Sequence, residues 1–478
     1  MSINTISEVV KLKRKLYIEL VKLTAAGNLV EGITELPEKM ITKDSPRYRC
    51  CEFKERAIFK ERIKLALGFS PEKHKNDSLE ELAARNSKEK KGENIVEVIE
   101  LACDSCPIDK YFVTDACRNC VAHKCVNACP VNAIVIIQNK AFIDQEKCIE
   151  CGKCAAACSY NAILENQRPC SRACEVDAIT SNSKRQAEID HDLCVSCGSC
   201  ISACPFGAIA EKSELVSVSK KLLSDNQKTA ALIAPSFVGQ LSYSLSPSEI
   251  KFALKKLGFD LVKEVAAGAE RVAAEEGEEL RETVKKNKTL LSSCCPAFKS
   301  MIENEFPGLK SSISRTNSPM AVTAVELKNY NPELNTVFIG PCTAKKSEAA
   351  ADKNVDYVLN FEELMAVFTG FDINLEEIEE KEEIKDAGQI GRQFAYAGGL
   401  QKSLKEVLDL DFQSKQADGL SECRKELYLI KAEKNNYSFL EGMACSGGCI
   451  GGPSAMISTN KSKQLVQNFA ESTEIEKK

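Results

Sequence analysis

Any chemistry in this 478-residue chain must be built on cysteine, which occurs 24 times against three histidines, His74, His123 and His191. Two runs share one spacing: Cys148-x2-Cys151-x2-Cys154-x3-Cys158 and Cys194-x2-Cys197-x2-Cys200-x3-Cys204-Pro205. A 4Fe–4S cube takes four thiolates; tight x2, x2 spacing wraps a loop round three corners, and the fourth cysteine of the run ligates the neighbouring cluster. Zinc sites also use Cys-x2-Cys, but as separated pairs rather than four close cysteines ending in Cys-Pro. The spacing therefore predicts iron and sulfur.

The crossover rule assigns ligands. In the first module Cys117, Cys120 and Cys125 join Cys158, while Cys148, Cys151 and Cys154 join Cys129. In the second, Cys194, Cys197 and Cys200 join Cys174. Cys170 and Cys204 remain, and the nearest orphan pair is Cys103-x2-Cys106, so a fourth cube is a hypothesis that these four thiolates would complete. Cys50 and Cys51, adjacent in RYRCCEFKERA, and Cys423 in SECRKE are read as buried or idle cysteines, since adjacent thiols on one helix diverge.

Three further cysteine motifs stand in the C-terminal half: LSSCCPAF around Cys294 and Cys295, IGPCTAKKSE around Cys342, and EGMACSGGCIGGP around Cys445 and Cys449. Gly447-Gly448 would let the backbone approach a bulky cofactor. Adjacent cysteines can hold opposite duties because their side chains point apart, and a thiol with a tuned pKa serves as acid and base.

Together and in this order, from about Ala230 to Pro453, the motifs resemble the three signature segments of the [FeFe]-hydrogenases. The resemblance implies an H-cluster, a 4Fe–4S cube joined through a cysteine to a two-iron unit bearing CO, cyanide and an azadithiolate. It makes Cys295, Cys342, Cys445 and Cys449 the cube ligands, with Cys449 the bridge. Cys294 is then the proton-carrying thiol, Lys345 the partner of a cyanide, and Met443 a neighbour of the bridging ligand. Ala234-Pro235-Ser236 looks like the segment touching the other cyanide. GAERVAAEEGEEL resembles the segment supplying two relay glutamates, Glu276 and Glu279, with Ser314 between them; the alternative is a solvated helix face. SSCCPAF, Ser446, the GGP ending and Met320 after Ser318-Pro319 depart from the clostridial type and look like the branch called group B.

The family implies reversible H2 oxidation and proton reduction, with electrons relayed through several 4Fe–4S clusters to a ferredoxin or similar soluble carrier, and maturation proteins as further partners. Without a GxGxxG context, nicotinamide use would need another subunit. The rival readings are a non-catalytic homologue serving Fe–S assembly, which needs neither Cys294 nor Lys345, and a redox sensor or electron-transfer protein.

These residues need three kinds of scaffold. Helical periodicity fills residues 1–95, as in VVKLKRKLYIELVKLTAA, with a polar linker at Arg85–Asn94. Residues 96–215 hold sixteen cysteines and a unit repeated four times, CPVNAI, CSYNAI, CEVDAI and CPFGAI, which predicts two ferredoxin-like modules in tandem. Residues 225–478 alternate strand-like runs such as TAALIA and NTVFIG with helical patterns, a two-lobed α/β catalytic domain that ends in a fraying polar tail. The fold class is thus α+β multidomain. A net charge of -5 argues against a nucleic-acid or membrane-surface partner. The cysteine usage, with no membrane-length apolar run and no signal-peptide pattern, predicts a reducing, cytoplasmic protein.

Overall fold

The computed structural model describes residues 7–85, 94–103, 106, 110–184, 186–224 and 226–472. Most of the linker at 85–94 and the end of the polar tail lie outside them. Helices and sheets mix in an α+β multidomain architecture.

The runs Thr229–Ile233, Asn335–Ile339 and Phe439–Met443 are buried along their whole length, the pattern of strands covered on both faces. Each is an inner strand of a parallel sheet. One sheet runs in the order Leu261–Glu264, Thr229–Ile233, Asn335–Ile339, Tyr357–Leu359; the other runs Leu290–Leu291, Phe439–Met443, Ser414–Asp418. Open parallel sheets bind ligands in the crevice beyond their carboxyl ends. Ala234, Cys294, Cys342 and Cys445 all lie in the turns that leave these carboxyl ends.

The two ferredoxin modules are built alike. In one, Tyr111–Val113 pairs antiparallel with Ile163–Glu165 around the hairpin Ile134–Ile137/Lys140–Ile143. Its two-residue turn, Gln138-Asn139, has φ of 47 and 61, the left-handed pair that matches strand twist. In the other, Val96–Val98 pairs with Ile209–Glu211 around the hairpin Ile179–Ser181/Ala187–Ile189. The chain completes the 111–165 unit between the two parts of the other, so the folded modules are nested although their cysteine runs follow in series.

The N-terminal helix Glu8–Ala25 starts at Ser7, whose hydroxyl accepts the Val10 amide. It buries Leu16, Tyr17, Leu20 and Val21, a stripe at helical spacing. This stripe meets Phe361, Leu364 and Val367 of helix Phe361–Gly370 in one core. A Cβ on Gly370 would come within 2.4 Å of Val21. Lys13 and Arg14 both pair with Glu362 across the same seam. The helical region thus shares its core with the C-terminal sheets.

Candidate metal centres

The repeated Cys-x-x-x-Ala-Ile unit has a physical basis. In all four copies the alanine amide donates to the Sγ four residues earlier: Ala133 to Cys129 at 3.2 Å, and Ala162 to Cys158, Ala178 to Cys174 and Ala208 to Cys204 at 3.3 Å. The residue before each alanine, Asn132, Asn161, Asp177 or Gly207, has φ between 49 and 57. That left-handed turn aims the amide at sulfur, and only Gly, Asn and Asp adopt it readily. The following Ile134, Ile163, Ile179 and Ile209 are buried. An amide hydrogen bond favours the charged thiolate, the form that binds iron.

Cys129, Cys148, Cys151 and Cys154 surround a void of about 310 Å³ closed by Tyr111, Ile134 and Ile143. Cys174, Cys194, Cys197 and Cys200 surround another of about 340 Å³. Cys117, Cys125 and Cys158 pack against the 111–165 core, and Cys125 feels the charges of Cys158 and Cys120. Among the described residues no three His, Cys, Asp or Glu side chains converge on a point that one metal ion would fill. The thiols ring wider spaces.

A larger cavity, enclosing about 780 Å³ of atom-free space, lies at the carboxyl ends of the two parallel sheets. Cys294, Cys295, Cys342, Cys445 and Cys449 line it with Lys345, Met443 and Ala234–Ser236. The adjacent Cys294 and Cys295 diverge: one packs against the core of Val272 and Phe394, the other against Phe298 and Met301. Cys295 also caps helix Pro296–Glu305. Burial raises all five thiols above the ordinary cysteine range, Cys449 to about 11. Such thiols ionise only beside positive charge, which a ligated iron cluster supplies. Lys345 brings an ammonium to the wall; burial opposes its charge, but Glu348 at 2.6 Å holds its pKa above the usual lysine value. Ser236 Oγ is fully buried with no hydrogen-bond partner. An orphan hydroxyl and a cation facing a cysteine-lined cavity fit an anionic, iron-bearing group.

A polar path leaves this cavity. Glu276 is fully buried, facing Cys294, and burial lifts its pKa to about 8. No hydrogen bond of full geometry reaches its carboxyl oxygens; the Ser314 hydroxyl and the Ser293 amide face them. Ser314 Oγ donates to Glu279 Oε2 at 3.1 Å. Glu279 also accepts from the Arg315 amide and Nε, and Arg315 is solvent-exposed. Glu276 extends the apolar stripe Ala269, Val272, Ala273 and Leu280 of helix Val265–Lys285, so it does not lie on a solvated face.

Gly448 lines the cavity, and the pair also has a backbone duty: the φ of Gly447 and Gly448 are 85 and 84, and a Cβ on Gly448 would lie 2.5 Å from the Ala397 amide nitrogen. One expectation needs correction, that of diverging thiols at Cys50 and Cys51 on one helix. Cys50 is exposed and Cys51 half-exposed. Their thiols do not diverge: both precede helix Glu52–Ala66, Cys50 in a bend and Cys51 extended at the N-cap, with Sγ atoms 3.6 Å apart. Cys423 is buried, its thiol donating to the Ala417 and Met443 carbonyls. Sequence reasoning missed the Phe394–Ala395 wall, and it missed Glu441, which is buried, pushed up to about 7 by desolvation and accepts the Gly398 and Gln401 amides. Its place in EGMACSGGC, two residues from Met443, was the available signal.

Cysteine quartets in ferredoxin modules beside a cysteine-lined cavity between parallel sheets define an iron–sulfur protein with a buried complex centre. Residues 227–453 match the family model "Iron only hydrogenase large subunit, C-terminal domain". Residues 114–132 and 141–164 match 4Fe–4S binding domains, and residues 164–215 match the LdpA Fe–S cluster-binding domain. Iron hydrogenase 1 of Clostridium pasteurianum is 27% identical over 65% of this chain and 64% of its own. The periplasmic [Fe] hydrogenase large subunit of Nitratidesulfovibrio vulgaris is 25% identical over 50% of this chain and 72% of its own. A solved [FeFe]-hydrogenase of Chlamydomonas reinhardtii aligns with a TM-score of 0.45 at 21% identity, over 56% of this chain and 90% of that one. Over residues 227–453 the chain is similar to the iron-only hydrogenases, and the segments similar to 4Fe–4S binding domains lie ahead of that region. The chain spans 64% of the clostridial relative's length. The matches to Fe–S cluster-binding domains support 4Fe–4S clusters in the ferredoxin region. Among the described residues no helix is long and apolar enough to cross a membrane.

Proposed function

We propose that the chain is an [FeFe]-hydrogenase that interconverts dihydrogen with protons and electrons. The observation that carries this reading is one cavity gathering Cys294, Cys295, Cys342, Cys445, Cys449 and Lys345, with a polar path leading outward from Cys294. Cys295, Cys342, Cys445 and Cys449 would hold the iron–sulfur group, and Cys449 would stand next to its two-iron part. That unit, when bound, supplies the open iron site for heterolytic cleavage of dihydrogen.

The protein's own groups move protons and exclude water. Cys294 passes a proton between the cavity and Glu276. With its pKa near 8, Glu276 is mostly protonated at neutral pH and can donate as readily as accept. Ser314 turns its hydroxyl to hand the proton on to Glu279, and Arg315 holds Glu279 at the solvent edge. Lys345 keeps its ammonium beside Cys342 and Cys449, where it faces an anionic ligand. Met443 and Met320, both buried, give the cavity an apolar lining.

Electrons leave through the ferredoxin region. Its Cys197–Gly198 loop abuts the cavity wall: a Cβ on Gly198 would sit 2.8 Å from Thr343 Oγ1 and 2.9 Å from Pro453 Cγ. Cys197 is close enough for its charge to act on Cys445. The terminal partner is a soluble ferredoxin-type carrier.

The test is H2 evolution from reduced methyl viologen after anaerobic reconstitution with iron, sulfide and the two-iron cofactor. Infrared CO and cyanide bands together with H2 evolution are expected. A protein that loads its cubes yet shows neither is the non-catalytic relative.

A further inference from the structure

Cys103 and Cys106 lie ahead of residue 114, where the ferredoxin-type family matches begin. Nesting gives them a place. In the 111–165 module the first strand leads into Cys117-x2-Cys120, followed by Cys125-x3-Cys129; in the outer module Val96–Val98 leads into Cys103-x2-Cys106, followed after the insertion by Cys170-x3-Cys174. The second hairpin strand makes the same contact in both: the Ala141 backbone hydrogen-bonds Cys117, and the Ala187 amide donates to Cys103 Sγ at 3.2 Å. Cys170 lies within electrostatic reach of Cys204, Cys103 and Cys106. Cys103, Cys170 and Cys204 share one buried cluster with Ile99 and Ala102.

This quartet differs from its neighbours in its cover; at the Cys117 quartet the nearby cation, Lys140, is half-exposed and paired with Asp115 at 2.6 Å. Side chains without charge line the voids at Cys129/Cys148/Cys151/Cys154 and Cys174/Cys194/Cys197/Cys200. Over Cys103/Cys106/Cys170/Cys204, helix Glu52–Ala66 lays Ile58 and Leu65 into the cluster. From that helix Arg62 faces Cys204 and donates to the Phe206 carbonyl at 3.2 Å. Arg49, just before the helix, donates to the Ala102 carbonyl next to Cys103 at 3.0 Å and stacks over Phe206 at 5.3 Å. Glu55 also faces Arg62, from the same helix.

We infer that Cys103, Cys106, Cys170 and Cys204 hold a further 4Fe–4S cluster, and that Arg62 and Arg49 of the helical region make it the first of the ferredoxin-region clusters to accept an electron. Reduction adds one negative charge to the cube and its four thiolates, and a nearby half-buried cation stabilises that charge with less screening by salt than an exposed one. Net charge and hydrogen bonding are among the factors that set cluster potentials. The helical region thereby acquires a redox role. The inference rests on the ferredoxin-region cubes and not on dihydrogen chemistry.

The experiment uses full-length protein reconstituted anaerobically with iron and sulfide only, read by iron and sulfide content and by redox titration followed with EPR. Cys106→Ala and Cys103→Ala are each expected to lose about four irons, one cube, together with the signal that appears first on reduction. An unchanged iron count in both overturns the site. Arg62→Gln is expected to move that signal alone to more negative potential by at least a tenfold change in its reduction equilibrium, about 59 mV for one electron. Arg62→Lys should restore most of it, and Arg49→Gln should shift it the same way. Full iron content with wild-type midpoints in both glutamine variants overturns the electrostatic role. If Arg62→Gln does not load, Arg49→Gln decides. No reading needs the two-iron unit, so failure here leaves the hydrogenase reading intact, and absent infrared bands leave this inference intact.

Discussion

At the scale of single residues, the proposed relay depends on one buried carboxyl. Glu276 is closed off from bulk solvent, and its proton is held at neutral pH because burial disfavours the carboxylate. Glu276→Gln keeps the shape but cannot cycle a proton. Turnover in viologen-linked H2 evolution should fall by ~10²–10⁴, the usual worth of a positioned acid–base group, while iron content and infrared bands stay unchanged. Undiminished turnover would remove Glu276 from the path. The same group ties stability to pH. Its pKa rises from 4.5 to about 8 on folding, so the native state holds a proton that the unfolded chain has released. That contribution is complete below about pH 4.5 and disappears as pH climbs through 8. Thermal midpoints of wild type and Glu276→Gln should therefore diverge towards pH 8, with wild type the one that loses stability; parallel curves would mean that Glu276 is not buried as described.

At the scale of elements, sequence was most informative where chemistry and backbone conformation coincide. The Cys-x-x-x-Ala-Ile unit could be read as a repeat, and its third spacer, always Asn, Asp or Gly, already encoded the left-handed turn. Asn161 isolates this effect because its side chain is exposed. Asn161→Val forces a β-branched residue into φ 49 and should cost ~1–2 kcal/mol, with faster iron loss during chelator challenge. Asn161→Gly should match wild type. Equal loss from both would shift the explanation to the asparagine side chain. The catalytic-type motifs were legible for a related reason: each leaves the carboxyl end of a parallel strand. The Phe394–Ala395 wall was not legible, because nothing local marks a segment whose duty is to cover a cavity built by other strands. Glu348 was hidden likewise, as one acid among many until the fold sets it 2.6 Å from Lys345. Nesting escaped the cysteine pattern too, since strand pairing between 96–98 and 209–211 spans the whole inserted module.

At the scale of the molecule, the three regions meet in a buried ionic network. Lys346, next to the cavity lysine, pairs with Glu363 at 2.7 Å and with Glu211 at 3.7 Å. Glu211 belongs to the outer ferredoxin strand and accepts from Asn360; Glu363 sits on helix Phe361–Gly370, which also docks the N-terminal helix. All three ionic side chains are at most 4% exposed. One ammonium thus fastens the ferredoxin region to the element that follows Cys342, beside the helix on which the N-terminal helix docks. Lys346→Met leaves two carboxylates buried together, and removing one partner of such a network costs ~3–5 kcal/mol. Glu363 already has its pKa raised by burial, and loss of the lysine raises it further. The variant should therefore be closest to wild type in mildly acid solution and progressively weaker as pH rises and deprotonation becomes unavoidable. Lys346→Met/Glu363→Gln, with one acid made neutral, should recover part of the loss. Thermal unfolding of cluster-loaded protein between pH 5 and pH 8 measures this, and a variant whose deficit is constant across that range would show that the acids are compensated by groups other than Lys346.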